Sequence, residues 1–123
     1  MNTTETLYVA VVDDDESFGR SLSRLIRAAG MQPITYPSAE AFLADAKHPT
    51  FDCLVLDVYL GGMSGIELGQ RLAIEGRLAP FIILTAHDDP DTRARAEAAG
   101  CAAFFGKTES GADVLAAIRR AAL

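Results

Sequence analysis

Five polar residues stand just after short apolar runs. Asp13 and Asp14 follow residues 7–12, Asp57 follows 53–56, Thr85 follows 81–84, and Lys107 comes shortly after 102–105. If those runs are strands of one sheet, three carboxylates, a hydroxyl and an ammonium converge on one rim. Carboxylates crowded there repel: a like-charge pair about 4 Å apart costs roughly 4 kcal/mol at an effective dielectric near 20. Such a cluster persists when something cationic occupies it. Oxygen-only donors suit a hard cation, and Mg²⁺ typically takes one or two carboxylates, waters and a substrate phosphate. Lys107 as point charge and Thr85 as hydrogen-bond donor then suit a bound phosphoryl group. A carboxylate can itself attack phosphorus to give an acyl phosphate. Asp57, alone at the end of its run, is the nucleophile candidate, whereas the adjacent Asp13 and Asp14 can share a metal.

The elements that must position these groups alternate regularly along the chain. Residues 7–12 are continuously apolar, partly β-branched and short, as in a strand buried on both faces. Phe18, Leu22, Leu25, Ile26 and Ala29 recur at helical spacing and Gly30 supplies a stop. Residues 33–36 read as a second strand, followed by a helix from Ser38 to about Lys47. Residues 53–56 make a third strand, and Ser64 with Glu67 has the spacing of a capping box that opens the next helix. Residues 81–84 form a fourth strand ending at Thr85. Pro90 after Asp89 starts an alanine-rich helix that Gly100 ends. A fifth strand at 102–105 and a helix from about Gly111 to Ala122 complete the pattern. Five β–α units predict an α/β fold, a doubly wound parallel sheet of order 2-1-3-4-5, flavodoxin-like. In such sheets ligands sit beyond the carboxyl ends of the strands, where the five polar residues lie. Between Ala86 and Ala103 there is no Val, Ile, Leu, Met, Phe, Tyr or Trp, so the fourth helix is expected to be the most weakly anchored.

Composition sets the outer bounds. The 123 residues suit one core, and residues 1–123 read as a single domain. A net charge of −6, from 11 basic and 17 acidic residues, is the wrong sign for neutralising a nucleic-acid backbone, so no direct nucleic-acid partner is expected. The start of the chain is polar, and no apolar stretch approaches the roughly 20 residues that span a bilayer. Cys53 and Cys101 lack metal-ligand spacing and read as small hydrophobes in a reducing compartment. A cytoplasmic location is the expectation.

The segments Val11-Val12-Asp13-Asp14-Asp15-Glu16, Leu56-Asp57-Val58-Tyr59-Leu60, Met63-Ser64-Gly65-Ile66-Glu67-Leu68, Leu84-Thr85-Ala86-His87 and Gly100 through Lys107 resemble the receiver domain of bacterial two-component response regulators. The resemblance is nearest to the nitrogen-fixation-regulator subfamily, whose second helix is similar to Ser38-Ala39-Glu40-Ala41-Phe42-Leu43. It implies that Asp57 accepts a phosphoryl group and that Asp14 and Asp57 bind Mg²⁺. Asp13 would stand nearby, and the backbone carbonyl of Tyr59 would be a further ligand. It also implies that Lys107 pairs with Asp57 at rest, that Thr85 bonds the phosphoryl group, and that Phe104 changes position with Thr85. Tyr59 and His87 would flank the site. The implied partners are a sensor histidine kinase or phosphotransfer protein, a downstream output protein or domain, and a homodimer formed on phosphorylation. The implied role is a self-modifying switch rather than a turnover enzyme.

Three positions depart from the family pattern. Gly61 and Thr108 stand where proline is usual, and Gly106 stands where a larger residue is common. A cis peptide before a residue other than proline costs roughly 2.5–4 kcal/mol, so the bond between Lys107 and Thr108 is expected to be trans. The remaining readings fit less well. A pseudo-receiver that binds partners without phosphorylation usually lacks one of the five polar groups. A haloacid-dehalogenase-type phosphatase needs a second acid where Tyr59 stands. A flavodoxin-like electron carrier would not place Asp13 and Asp14 against a phosphate, and no G-x-G-x-x-G follows a strand. Outside the site, Arg20, Arg24 and Arg27 read as a solvated stripe, and His48 as an exposed loop residue.

Overall fold

The computed structural model of the chain describes residues 6–77 and 79–123. Strands β1 (Tyr8–Val12), β2 (Gln32–Tyr36), β3 (Cys53–Leu56), β4 (Phe81–Thr85) and β5 (Ala103–Gly106) form one parallel sheet in the order β2-β1-β3-β4-β5. Between and after them lie helices α1 (Glu16–Ala28), α2 (Ala39–Ala44), α3 (Gly65–Ile74), α4 (Pro90–Ala98) and α5 (Gly111–Ala122). The order is the one expected from the β–α alternation.

Alternation along the strands splits the core in two. Val9, Val11, Cys53, Val55, Ile82 and Leu84 face Leu22 and Ile26 of α1 and Val114 and Ile118 of α5. Ala10, Val12, Leu54, Leu56, Ile83 and Phe104 face the other way, toward Phe42 of α2, Leu68 and Leu72 of α3, and Ala96 of α4. Both faces are covered, which explains why the central strands read as unbroken apolar runs.

Capping side chains decide where helices begin. The carboxylate of Asp15 accepts from the N–H of Phe18 at 3.1 Å, and Ser38 Oγ from Ala41 at 3.0 Å. Ser64 Oγ accepts from Glu67 N–H at 3.0 Å while Glu67 Oε1 accepts from Ser64 N–H at 2.9 Å, closing the capping box. Asp89 caps α4 through the N–H of Thr92 at 2.9 Å.

One helix departs from its expected length. α2 ends at Ala44, three residues before Lys47, because the side chain of Asp45 is taken up elsewhere. Its carboxylate accepts from Tyr36 Oη at 2.7 Å and from the N–H of Lys47 at 3.2 Å, which favours a turn over continued helix. His48 also departs from the exposed-loop reading. It is half-buried, stacked on Phe42 with ring centroids 5.4 Å apart and 4.8 Å from Phe51. Arg20, Arg24 and Arg27 are exposed, as expected of a solvated stripe.

The fourth helix buries only Thr92 and Ala96. Burying a large aliphatic side chain contributes about 1.5–3 kcal/mol, and these two residues supply much less. Helices held this way open at low free-energy cost. In hydrogen exchange, amides of α4 are therefore expected to exchange faster than those of α1, α3 and α5. Equal protection across these four helices would contradict that packing argument.

Candidate functional site

All five strands run parallel, so their carboxyl ends share one edge. The register sets Val12 beside Leu56, and Thr85 beside Gly106. Asp13 and Asp57 therefore leave neighbouring strands side by side, and Lys107 follows Gly106 next to Thr85. Backbone bonds continue the ladder through these positions. The N–H of Asp57 donates to Val12 O at 3.0 Å, and that of Lys107 to Thr85 O at 2.9 Å. No peptide bond among the described residues is cis, so the bond between Lys107 and Thr108 is trans.

Lys107 closes the cluster. Its Nζ lies 2.9 Å from Asp13 Oδ2 and 3.2 Å from Asp57 Oδ2, with its side chain only 16% exposed. The ring of Phe18 lies beneath the ammonium, 4.5 Å from Nζ to its centroid, a contact that residue spacing gave no sign of. The other oxygen of Asp13 accepts from the N–H of Asp15 at 2.9 Å. Burial pushes the Asp13 carboxyl above its usual range, although the bonds from Lys107 and Asp15 pull the other way. Burial alone would lower the pKa of Lys107, yet Asp13 and Asp57 together hold it above its ordinary value.

Asp57 is 6% exposed, and its Oδ1 is buried without a hydrogen-bond partner. An unpaired buried carboxylate oxygen costs free energy unless something supplies positive charge or a donor. One oxygen each of Asp13, Asp14 and Asp57 lies within 4.8 Å of the others, and Asp14 is exposed to solvent. The orphaned oxygen and the all-oxygen donor set fit a hard cation such as Mg²⁺.

Around this centre, Thr85 is fully buried and its Oγ1 accepts from the N–H of His87 at 3.1 Å. Tyr59 is 47% exposed, and its ring meets that of His87 edge-on, with centroids 4.4 Å apart. Phe104 points into the core beside α4, with the guanidinium of Arg93 5.3 Å from its ring centre. Gly65, the first residue of α3, packs directly on the carbonyl of Asp57, where a Cβ would collide. The N–H of Gly65 donates to Val58 O at 3.1 Å, tying the loop after Asp57 to the helix that follows.

Residues 9–119 match the response regulator receiver domain. The chain belongs to that family. This receiver domain is 37% identical over 121 residues to the response regulator protein TmoT of Ectopseudomonas mendocina, covering 98% of this chain and 54% of TmoT. The chain spans about half the length of the curated relatives it matches. The crystal structure of FixJ-N superposes with a TM-score of 0.85 at 33% identity, covering 97% of this chain and 95% of that one. A response regulator protein from Burkholderia pseudomallei, crystallised with a phosphorylated aspartic acid, calcium ion and citrate, superposes with a TM-score of 0.82 at 25% identity. That match covers 94% of this chain and 68% of the other. The receiver fold and the likeness to FixJ agree with the family resemblance read from the strand-end motifs.

Replacing Lys107 by methionine leaves two buried carboxylates side by side without a cation. Breaking a fully buried pair costs about 3–5 kcal/mol; with Lys107 partly exposed, the expected loss at neutral pH is about 2 kcal/mol. Because the folded-state value of Lys107 is raised, its contribution is fully present below the ordinary lysine value and lost as pH rises through the higher folded one. The raised Asp13 carboxyl means its charged form is disfavoured on folding, a cost present above its folded value and relieved as pH falls through it. The stability gap between wild type and Lys107→Met, followed by urea denaturation, should therefore narrow toward both acid and strongly alkaline pH. A gap that stays constant across that range would contradict this assignment.

Proposed function

We propose that the chain is a phosphorylation-driven signalling switch in which Asp57 accepts a phosphoryl group from a sensor histidine kinase or phosphotransfer protein. One observation carries the reading: Asp57, at the end of central strand β3, holds one carboxylate oxygen on Lys107 and leaves the other buried without a partner. In the transfer, a carboxylate oxygen of Asp57 forms a bond to phosphorus as the phosphorus–nitrogen bond of a phosphohistidine breaks. The electron pair stays with the departing imidazole, and Asp57 becomes an acyl phosphate. The residues present fit Mg²⁺: Asp13, Asp14 and Asp57 would hold it, with the Tyr59 carbonyl as a further ligand, and it would supply charge neutralisation for phosphoryl oxygens.

The chain's own groups supply positioning and charge. Lys107 stands on two carboxylates and can exchange one of them for a phosphoryl oxygen without leaving the rim. Thr85 Oγ1 accepts from His87, so its own hydroxyl hydrogen can turn to that phosphoryl oxygen. Thr85 ends β4 just before α4, and Phe104 lies on β5 just after it. A pull on Thr85 thus reaches both ends of the loosest helix, and the surface of α4, β5 and α5 is where an output protein or domain would read the change. The remaining elements of the reading are a cytoplasmic location, no direct nucleic-acid contact and a homodimer formed on phosphorylation. The aspartyl phosphate of the Burkholderia pseudomallei relative supports this chemistry on the same fold.

Incubation with acetyl phosphate and Mg²⁺ should add one phosphoryl group by intact mass. Asp57→Asn should abolish the addition, and chelation of Mg²⁺ should suppress it. An unmodified wild-type mass under saturating donor would leave the chain a pseudo-receiver that works as a protein-binding module.

A further inference from the structure

We propose that Glu40, on α2, is a positioning residue for the site: its carboxylate latches the loop after Asp57 and so holds the Tyr59 backbone in place. The inference rests on the phosphoacceptor reading above and adds a residue to it. Glu40 Oε2 accepts from the N–H of Met63 at 2.9 Å, across a sequence separation of 23 residues. The same carboxylate lies over Gly62, where an added Cβ would meet Oε2 at 2.7 Å and Oε1 and Cδ at 3.2 Å. A side chain at that position would push the carboxylate aside.

The donor accounting at this corner shows why an outside acceptor is used. The N–H of Gly65 goes to Val58 O, while Ser64 and Glu67 satisfy each other through the capping box. The N–H of Met63 lies beyond the reach of that box, and Glu40 takes it. Donation by Met63 lowers the pKa of Glu40, so the latch is made by the charged form.

The loop has need of such a tie. Gly61 has a φ of +82° and Gly62 follows it, the most conformationally free pair a chain can carry. Tyr59 precedes that pair, with the buried Leu60 between them and Val58, on its other side, held by the bond from Gly65. Met63 is the next fixed point, and Glu40 fixes its backbone. If the loop leaves its ordered position for part of the time, apparent Mg²⁺ affinity falls in proportion to the competent fraction.

Three variants of the full chain test this: Glu40→Ala, Glu40→Gln and Gly62→Ala. Gly62 does not have a positive φ, so its alanine is free of backbone strain and acts by displacing the carboxylate. Two quantities are read, amide exchange at Met63 by nuclear magnetic resonance and the Kd for Mg²⁺ by calorimetry, with melting temperature as the control for folding. Glu40→Ala should speed Met63 exchange and raise the Kd, each about fivefold, as expected for one charged hydrogen bond at the surface. Glu40→Gln, which keeps an acceptor, should lie closer to wild type. Gly62→Ala should reproduce the Glu40→Ala effect in the wild type and add nothing in the Glu40→Ala background. Unchanged Met63 exchange in Glu40→Ala would show that the latch does not form in solution. Faster exchange with an unchanged Kd would remove its positioning role. If the wild type itself fails to bind Mg²⁺, the phosphoacceptor reading and the positioning role both fall, while exchange still reports on the latch.

Discussion

One ammonium group stands between two strands that would otherwise repel each other. A parallel sheet carries all its carboxyl ends to one edge, and here that edge receives Asp13 from β1 and Asp57 from β3 on adjacent strands. Both are buried, and Lys107 from the far end of the sheet spans to both of them. Around this charge triad, Phe18 lies beneath the lysine and Gly65 packs on the main-chain carbonyl of Asp57. A buried ion group of this kind is weak evidence for stability and stronger evidence for a site, because an apolar rim would have been easier to fold. What the arrangement preserves is a lysine that can change partners and a carboxylate oxygen that has none.

The second feature is an asymmetry of packing. α1, α3 and α5 bury leucine, isoleucine or valine, whereas α4 buries a threonine and an alanine. The more deeply packed helices lie on either side of β3, and the weakly packed one lies between Thr85 and Phe104 in the chain. Phe104 is held between the core and the guanidinium of Arg93, which belongs to α4 itself. In the proposed switch, a shift of α4 would reach the ring through that direct contact. This coupling needs no long pathway through the core.

Much of this was legible in the sequence because it depends on local patterns. Short apolar runs ending in a polar residue marked the strands and, through the geometry of parallel sheets, the rim; Ser64 with Glu67 marked the start of α3 in full detail. What escaped was non-local. The end of α2 turns on Asp45 meeting Tyr36, and His48 is drawn inward by Phe42 and Phe51, neither contact being visible from spacing. Phe18 read as a core position of α1, and it packs on that core while also serving as the floor under Lys107. Glu40 fell within a recognised segment, yet its bond to Met63 joins elements whose proximity only the fold reveals. The adjacent Asp13 and Asp14 look equivalent as a pair, but the structure buries the first against Lys107 and leaves the second in solvent.

The claim that the charge triad governs the rim is tested most directly by a double-mutant cycle. Stability at neutral pH would be measured by urea denaturation for Lys107→Met in the wild type and in an Asp13→Asn/Asp57→Asn background. Pairwise coupling isolates the interaction from the other effects of each substitution. If Lys107 acts by balancing the two carboxylates, the cost of removing it should fall to near zero once they are neutral. An equal cost in both backgrounds would mean that Lys107 stabilises the fold through its packing on Phe18 alone, and would contradict the triad as the organising interaction.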